Sequence, residues 1–348
     1  MTIRFLTEVT ADWLSARLEE SGNLVAGRVQ EVKVAPLRSH ASAAAMLVLT
    51  YTAGASSLAP STLFCKLFHG NAFWGGWAEV TFFEELVRHM DSPSLPCCYA
   101  AAADRNTQAG YVLLQDLRLT HFLPAAGPRT TAQYEQAVDA LARLHAHWWE
   151  HPRLEQPDFL RPHGGPLRMA QVLPPASIRR HGAWLAGRLP AALSAIGASL
   201  TKAQRAFCLR AVAAWPELLA TRAAGGRYLT LLHGDFHHDG NLWLPRHPGA
   251  GLKIVDWETY KRGVGVYDLA YLLAYRPAVR RRQERALLRR YWRHLTAAGI
   301  AYSQKQCLYD YRLALLACLF PLLLWPNAPA LHAVLEACAR WHCHTLLP

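Results

Sequence analysis

The sequence predicts an α+β protein of two lobes, with a small, sheet-containing N-lobe at residues 1–116 and a larger, mainly helical C-lobe at residues 117–348. Apolar runs of strand length dominate the first third of the chain, whereas patterns of helical period dominate the remainder. The hydrophobic fraction of 52% and the length of 348 residues allow a substantial core and argue against disorder.

The N-lobe begins with a predicted helix near Ala11–Glu20, followed by strands at Val29–Val34 and Met46–Tyr51. A turn of small polar residues precedes the second strand, and its Ser39 and Ser42 could offer backbone amides and hydroxyls to phosphate groups. An ordinary hairpin turn explains the same residues equally well, because no GxGxxG motif is present.

A third predicted strand, Ser61–Phe68, carries Lys66 among apolar neighbours. A lysine is costly to bury there unless it pairs with an acid. The helical pattern Trp77–Met90 follows and places Glu79 near its start. An edge-strand lysine that points into solvent is the simpler alternative. Glu84 and Glu85, on the same helix, are alternatives to Glu79 as the acidic partner of Lys66.

The apolar strand Tyr111–Leu114 leads into the C-lobe, and the boundary is expected near Leu117. Beyond it, Thr131–Glu150 has apolar residues at intervals of three and four, and Thr131 can cap this helix. Further helices are predicted at Ala203–Ala220, Arg285–Ala298 and Gln304–Trp325. The apolar block Leu313–Trp325 within the last is interpreted as a buried helix or a pair of helices.

Two aspartates mark the centre of the C-lobe. The apolar runs Leu229–Leu232 and Leu252–Val255 have strand length, and Asp235 and Asp256 fall just past their C-terminal ends. A hairpin of this shape would bring both acids, with Asn241, to one rim of a small sheet. Carboxylate and amide oxygens are ligands that Mg²⁺ takes together with nucleotide phosphates. Turn formation alone is the plainer explanation.

Three motifs in order carry a family resemblance: HGDFHHDGN, then VDWE, then GVGVYDLAYLL. They resemble the aminoglycoside phosphotransferase and choline kinase superfamily of small-molecule kinases, and the surroundings of DWETYKRGVGVYDLA most resemble its ecdysteroid-kinase-like (CHK-kinase-like) branch. The resemblance implies a protein-kinase-like fold with an antiparallel sheet in the N-lobe. It also implies Mg²⁺-dependent transfer of the γ-phosphate of ATP, or alternatively GTP, to a hydroxyl of a small molecule, either an antibiotic or a metabolite.

The resemblance further implies a role for each motif residue. Asp235 would orient the acceptor hydroxyl and accept its proton, while His233 would brace the catalytic loop. Asp256 would hold the Mg²⁺ that bridges the nucleotide phosphates. Lys66, positioned by an ion pair to Glu79, would hold the α- and β-phosphates.

One departure from the family pattern concerns the second metal. The family usually places an asparagine five positions after the catalytic aspartate, but here position 240 is glycine and Asn241 stands six positions on. Either the loop carries one extra residue, which Gly240 would permit, or Asp239 takes over the second metal. Glu258 is a weaker metal candidate, and Asp268 is interpreted as a helix cap or a buried loop brace.

The formal charge of +12 suits polyphosphate ligands and argues against a polycationic aminoglycoside as acceptor. The arginines of Arg276–Arg293 are interpreted as a solvated helix face, because no nucleic-acid motif accompanies them.

The N-terminus shows no apolar signal segment, and the apolar block Leu313–Trp325 is too short to span a bilayer. Eight cysteines without framework spacing predict reduced thiols. We therefore expect a cytoplasmic monomer or homodimer without nucleic-acid or membrane partners.

Two other functions fit parts of the pattern. A protein kinase is disfavoured, because no activation-segment ending is recognisable and residues 152–226 offer room for a private acceptor cavity. The shifted Asn241 leaves open a catalytically silent nucleotide-binding protein, although Lys66, Asp235 and Asp256 are all present.

Overall fold

A computed structural model of the chain describes residues 2–38, 42–55, 59–69, 73–90, 92–104, 106–107, 109–125, 127–156, 170–196, 199–247, 249–275, 281–325 and 327–348. The chain divides into two compact units, which are described separately. The first comprises Met1–Leu123 and Trp243–Thr259, and the second comprises Pro124–Leu242 and Tyr260–Pro348. The sequence predicted a single boundary near Leu117 and did not anticipate that the segment containing Asp256 belongs to the first unit.

An antiparallel sheet of five strands, in the order β1-β2-β3-β5-β4, forms the framework of the first unit. Its strands are β1 (Val29–Leu37), β2 (Ala43–Tyr51), β3 (Thr62–His69), β4 (Cys98–Asp104) and β5 (Ala109–Gln115). Lys66 of β3 lies opposite Ala44 on one side and Val112 on the other. Lys66 therefore lies on a central strand, and the alternative of a solvent-facing lysine on an edge strand is wrong.

Alternation along β3 decides which side chains enter the core of the first unit. Leu63, Cys65 and Leu67 are buried in the hydrophobic cluster, together with Leu14 and Leu18 of helix α1 (Ala11–Glu20). Because successive side chains of a strand point to opposite faces, Lys66 projects from the other face of the sheet.

The remaining elements of the first unit follow the sheet strands. Helix α2 (Phe73–Thr81) continues as a π-helical turn at Phe82–Leu86, where the sequence predicted an unbroken α-helix. The ring of Phe82 stacks on Trp257 with the centroids 3.9 Å apart, so the irregular turn lies against the segment that follows Asp256. A second, three-stranded sheet contains β6 (His121–Phe122), β8 (Leu242–Pro245) and β9 (Lys253–Ile254) in the order β6-β8-β9.

The second unit is mainly helical. Its helices are α3 (Thr131–His147), α4 (Pro175–Ile196), α5 (Lys202–Ala223), α6 (Val266–Ala274), α7 (Arg281–Ala297), α8 (Gln304–Ala317), α9 (Leu319–Leu324) and α10 (Ala328–Arg340). A two-stranded sheet joins β7 (Leu229–Leu232) to β10 (Lys261–Val264), and every residue of both strands is buried. The predicted hairpin between the two aspartate-bearing strands is wrong, because β7 pairs with β10 while β9 lies in the other sheet.

Local details also differ from the predictions. Thr130, and not Thr131, caps α3: its side chain accepts from the backbone N–H of Gln133, whose own side chain accepts from the backbone N–H of Thr130. This reciprocal capping box satisfies two otherwise unpaired donors. Between Gln304 and Trp325 the chain forms two helices, α8 and α9, that meet at Cys318, so the alternative of a pair of helices is confirmed.

One helical run, Gln304–Leu323, is long and apolar enough to cross a membrane by length and composition, and it is longer than the block predicted from the sequence. However, 78% of its apolar window is buried inside the protein. Core helices of soluble proteins pass the same test of length and composition. All eight cysteines are free thiols.

Candidate active site

Lys66 is surrounded by carboxylates within the first unit. Its Nζ lies 2.7 Å from Oε2 of Glu79 and 2.6 Å from Oδ1 of Asp256. Oε2 of Glu258 lies 3.7 Å away. The ion pair between the strand lysine and Glu79, which the resemblance implied, is therefore present, and among the described residues Glu84 and Glu85 make no ion pair with Lys66.

Burial and charge act in opposite directions on this lysine. Burial alone would lower the pKa of Lys66, but the negative charges of Glu79, Asp256 and Glu258 raise its pKa above the ordinary value. Burial raises the pKa of Glu79, while the positive charge of Lys66 opposes that change. Lys66 is thus a permanently protonated cation that can contact phosphate oxygens.

The backbone of Asp256 is unusual. Its φ is +67°, a left-handed conformation that residues other than glycine seldom adopt. Asp256 stands between β9 and a 3₁₀ turn at Trp257–Thr259, and the fully buried ring of Trp257 anchors that turn. Backbone strain of this kind costs about 1–3 kcal/mol and concentrates at functional sites. The carboxylate that follows this left-handed backbone lies 2.6 Å from Nζ of Lys66.

The three acids around Lys66 also suit a divalent cation. One carboxylate oxygen from each of Glu79, Asp256 and Glu258 lies within 4.8 Å of the others, and they form the only such group of three among the residues described. Mg²⁺ prefers hard oxygen ligands and usually binds through one or two carboxylates plus substrate phosphates. Asp256 and Glu258 are partly exposed, whereas Glu79 is buried and held by Lys66. The donor set therefore fits Mg²⁺, and Asp256 and Glu258 are the carboxylates that could hold it.

Asp235 of the second unit has donors at both carboxylate oxygens. Its Oδ1 accepts a hydrogen bond from the Tyr271 hydroxyl at 2.6 Å. Its Oδ2 accepts from Nδ2 of Asn241 at 3.1 Å, and Nε2 of His237 lies 3.3 Å from the same oxygen. The backbone N–H of Asp239 donates to Nδ1 of His237, which leaves the neutral ring with its proton on Nε2, facing Asp235.

These donors keep Asp235 ionised. Burial by itself would raise the pKa of Asp235, but the hydrogen bonds from His237 and from the Tyr271 hydroxyl hold that pKa well below its ordinary value. The side chain of Asp235 keeps 28% of its surface exposed. An accessible carboxylate that is always deprotonated can accept a hydrogen bond from an alcohol.

A buried network fixes the loop that carries Asp235. The carboxylate of Asp268 accepts hydrogen bonds from the backbone N–H groups of His233 at 2.7 Å and Gly234 at 2.9 Å. Nδ1 of His233 in turn accepts the backbone N–H of Asp235 at 3.2 Å. Oδ2 of Asp268, which accepts from the N–H of His233, also lies 3.3 Å from Nε2 of His145. Asp268 is therefore a loop brace, and the helix-cap alternative is wrong because Gly265 occupies the N-cap position of α6.

The two candidates for the second metal have different environments. Nδ2 of Asn241 donates to the Asp235 carbonyl at 2.8 Å as well as to its carboxylate, which turns the amide oxygen of Asn241 away from Asp235. Asp239 instead forms an ion pair with Arg129 at 3.1 Å. Gly240 between them has a φ of +155°, which side-chain-bearing residues rarely adopt. Asn241 therefore stays beside Asp235 after the glycine.

The predicted phosphate-binding turn is described only in part. Ser42 lies in a bend before β2, and Ser39 lies outside the described residues. No role for either serine follows from the structure.

Sequence reasoning missed Tyr271 and His237 as neighbours of Asp235. A signal for Tyr271 was available, since it follows Asp268 by three positions in a helical run. Residues three apart share a helix face, so a helix that braces the catalytic loop with one side chain presents the other to the same loop.

Comparison with known proteins identifies the fold and family. A family model described as the phosphotransferase enzyme family matches residues 34–300. The chain belongs to this family. The match spans both clusters described above, so this phosphotransferase is a small-molecule kinase. The finer resemblance to the ecdysteroid-kinase-like branch stays a prediction.

Several solved structures resemble this phosphotransferase. The GDP complex of an aminoglycoside 2'-phosphotransferase of type IIIa is 12% identical, covers 97% of this chain and 98% of that chain, and has a TM-score of 0.52. A spectinomycin phosphotransferase with ADP and spectinomycin is 13% identical over 97% of this chain and 99% of that chain, with a TM-score of 0.49. An aminoglycoside phosphotransferase from Streptomyces rimosus with ADP and streptomycin is 18% identical over 86% of this chain and 92% of that chain, with a TM-score of 0.49. The likeness to the aminoglycoside 2'-phosphotransferase confirms the kinase-like α+β fold. No curated protein matches the chain in sequence.

Proposed function

We propose that this phosphotransferase transfers the γ-phosphate of ATP to a hydroxyl group of a small molecule, in a reaction that requires Mg²⁺. Phosphoryl transfer needs little covalent chemistry from the protein, which instead positions the reactants and neutralises phosphate charge. ATP is the proposed donor and GTP the alternative, since the structurally similar aminoglycoside 2'-phosphotransferase was solved with GDP.

The observation that carries the proposal is the cation of Lys66 held between a buried glutamate and the strained Asp256. A structural ion pair would need neither the left-handed backbone at Asp256 nor the third carboxylate of Glu258. Together these groups supply one fixed positive charge and a set of metal ligands, which is what a metal-bound triphosphate requires.

The proposed roles divide between the two units. In the first, Lys66 contacts the α- and β-phosphates, Glu79 holds Lys66 in place, and Asp256 binds the Mg²⁺. In the second, Asp235 orients the acceptor hydroxyl and takes its proton as the phosphoryl group leaves ATP. A weakly basic carboxylate suffices for this step, because the transition state is largely dissociative and the nucleophile needs little activation.

For the second metal we propose Asn241 rather than Asp239. The amide oxygen of Asn241 faces away from Asp235, whereas the carboxylate of Asp239 already neutralises Arg129. This assignment also argues for an active enzyme over a silent relative, because the extra loop residue does not displace the asparagine from the side of Asp235.

The acceptor is proposed to be a neutral or anionic alcohol. Several acidic side chains of the second unit are matched by arginines, as in the pairs of Asp239 with Arg129 and Glu155 with Arg262. Polycationic ligands favour uncompensated acidic surfaces, and the net charge of +12 opposes their approach. We further propose that the enzyme works in the cytoplasm, where ATP is available.

Thermal stability of the purified protein tests nucleotide binding. A ligand that binds the native state at one hundred times its dissociation constant raises the free energy of unfolding by about 2.7 kcal/mol. We expect a rise in melting temperature that requires ATP and Mg²⁺ together and that Asp256→Asn abolishes. Hydroxylated metabolites and antibiotics are then added one at a time in the presence of MgATP. A compound that raises the melting temperature further is a candidate acceptor for a turnover assay. No rise at saturating MgATP would count against the proposal.

A further inference from the structure

Tyr271 makes the shortest hydrogen bond to Asp235. Its hydroxyl lies 2.6 Å from Oδ1, and only 7% of the residue is exposed. Burial and the neighbouring negative charge of Asp235 raise the pKa of Tyr271, so the phenol stays protonated and can only donate to the carboxylate. Hydrogen bonds to an ionised acceptor are shorter and about twice as strong as neutral ones.

The donors around Asp235 leave little freedom for its carboxylate. An ionised carboxylate offers about four lone-pair positions on its two oxygens. Asn241 and His237 face Oδ2, and Tyr271 faces Oδ1. The position left for an incoming hydroxyl is therefore the second one on Oδ1, the oxygen that Tyr271 holds. Without the Tyr271 hydroxyl these contacts hold the carboxylate at Oδ2 alone, and the position of Oδ1 is less well fixed.

Tyr271 is itself held by its surroundings. Its ring stacks on Tyr275 with the centroids 4.0 Å apart, and the Tyr275 hydroxyl donates to the carbonyl of Cys318 at 3.2 Å. Its helix, α6, also carries Asp268, which grips the backbone of the loop bearing Asp235. One rigid helix thus fixes both the main chain and the side chain of the catalytic loop.

We propose that Tyr271 is a positioning residue of the phosphotransferase, whose hydroxyl fixes the Asp235 carboxylate so that one position on Oδ1 faces the acceptor hydroxyl. This inference rests on the proposed function of Asp235. Tyr271 acts through Asp235, so its loss should slow turnover and leave nucleotide binding alone. The proposed nucleotide ligands Lys66 and Asp256 belong to the other unit, and the proposed metal ligand Asn241 keeps its own hydrogen bond to the Asp235 carbonyl.

The test compares wild type with Tyr271→Phe, which removes the hydroxyl and keeps the stacked ring. The matched control is Tyr311→Phe, since Tyr311 is fully buried in the same unit and donates to the carboxylate of Glu284 at 2.7 Å. The assay is steady-state release of phosphate from MgATP with water as acceptor, at a temperature below the melting points of all variants. Asp235→Asn defines the background.

We expect kcat of Tyr271→Phe to fall by roughly ten- to a hundredfold, as for misplaced catalytic groups, with KM for MgATP unchanged. Tyr311→Phe should lose thermal stability but keep kcat. Equal kcat in the two tyrosine variants, with turnover still dependent on Asp235, would overturn this inference alone. If the wild type released phosphate no faster than Asp235→Asn, both the proposed function and this inference would be overturned.

Discussion

Lys261 is a buried lysine whose charge should make the stability of the protein depend on pH. It belongs to the fully buried strand β10, and only 3% of the residue is exposed. Burial lowers the pKa of Lys261 from 10.5 to about 8, although the negative charges of Asp268 and Asp235 oppose the change. Below about pH 8 the folded protein therefore carries the free-energy cost of a buried ammonium group.

The direction of the pH effect follows from proton binding. As the pH rises from about 8 to about 10.5, the folded chain has released the Lys261 proton while the unfolded chain still holds it. The unfolded state then binds more protons, so stability rises with pH. With these two pKa values the free energy of unfolding gains about 2 kcal/mol between about pH 7 and about pH 9.5 from this residue.

The measurement is urea-induced unfolding of wild type and Lys261→Met at several pH values across this range. Methionine fills a similar volume without the charge, and the buried tyrosines titrate equally in both proteins, so they cancel in the difference. We expect the wild type to gain about 2 kcal/mol relative to the variant from about pH 7 to about pH 9.5. A constant difference over the range would show that Lys261 does not carry a buried charge, and would refute the reasoning.

Three further predictions concern the two clusters. Asp268→Asn should destabilise the fold by about 2–3 kcal/mol, because the amide cannot accept from both loop N–H groups, and urea unfolding with an unchanged midpoint would contradict this. Asn241→Ala should lower turnover at limiting Mg²⁺ far more than Asp239→Ala, and the reverse order would move the second metal to Asp239. Glu79→Gln should raise KM for MgATP by roughly tenfold, because Lys66 loses the partner that holds it on the phosphates, and an unchanged KM would remove Glu79 from the nucleotide site.

The sequence was informative wherever a motif residue acts through local chain geometry. Helix α1 was predicted at its observed bounds, and Lys66 was predicted to need an acidic partner, because an apolar strand permits no unpaired charge. The local pattern likewise predicted that Asp235 and Asp256 each stand just after a short strand.

Long-range pairing was less accessible from the sequence. The apolar strand before Asp235 could pair with any neighbouring run, and only burial on both faces selects β10, so the hairpin prediction failed. The π-helical turn at Phe82–Leu86 coincides with stacking on Trp257, some 170 positions away along the chain, which no local propensity encodes. The partner of Tyr271 is likewise 36 positions distant, and only the spacing of three between Tyr271 and Asp268 indicated that it shares a helix face with the loop brace.

The most direct test of the central claim is the separation of turnover from nucleotide binding in Asp235→Asn. The substitution keeps the size of the side chain and removes the carboxylate that is to take the acceptor proton. We expect the variant to lose transfer of the γ-phosphate from ATP while MgATP still raises its melting temperature as in the wild type. Transfer at the wild-type rate would contradict the account, because some other group would then have to orient the acceptor hydroxyl and take its proton.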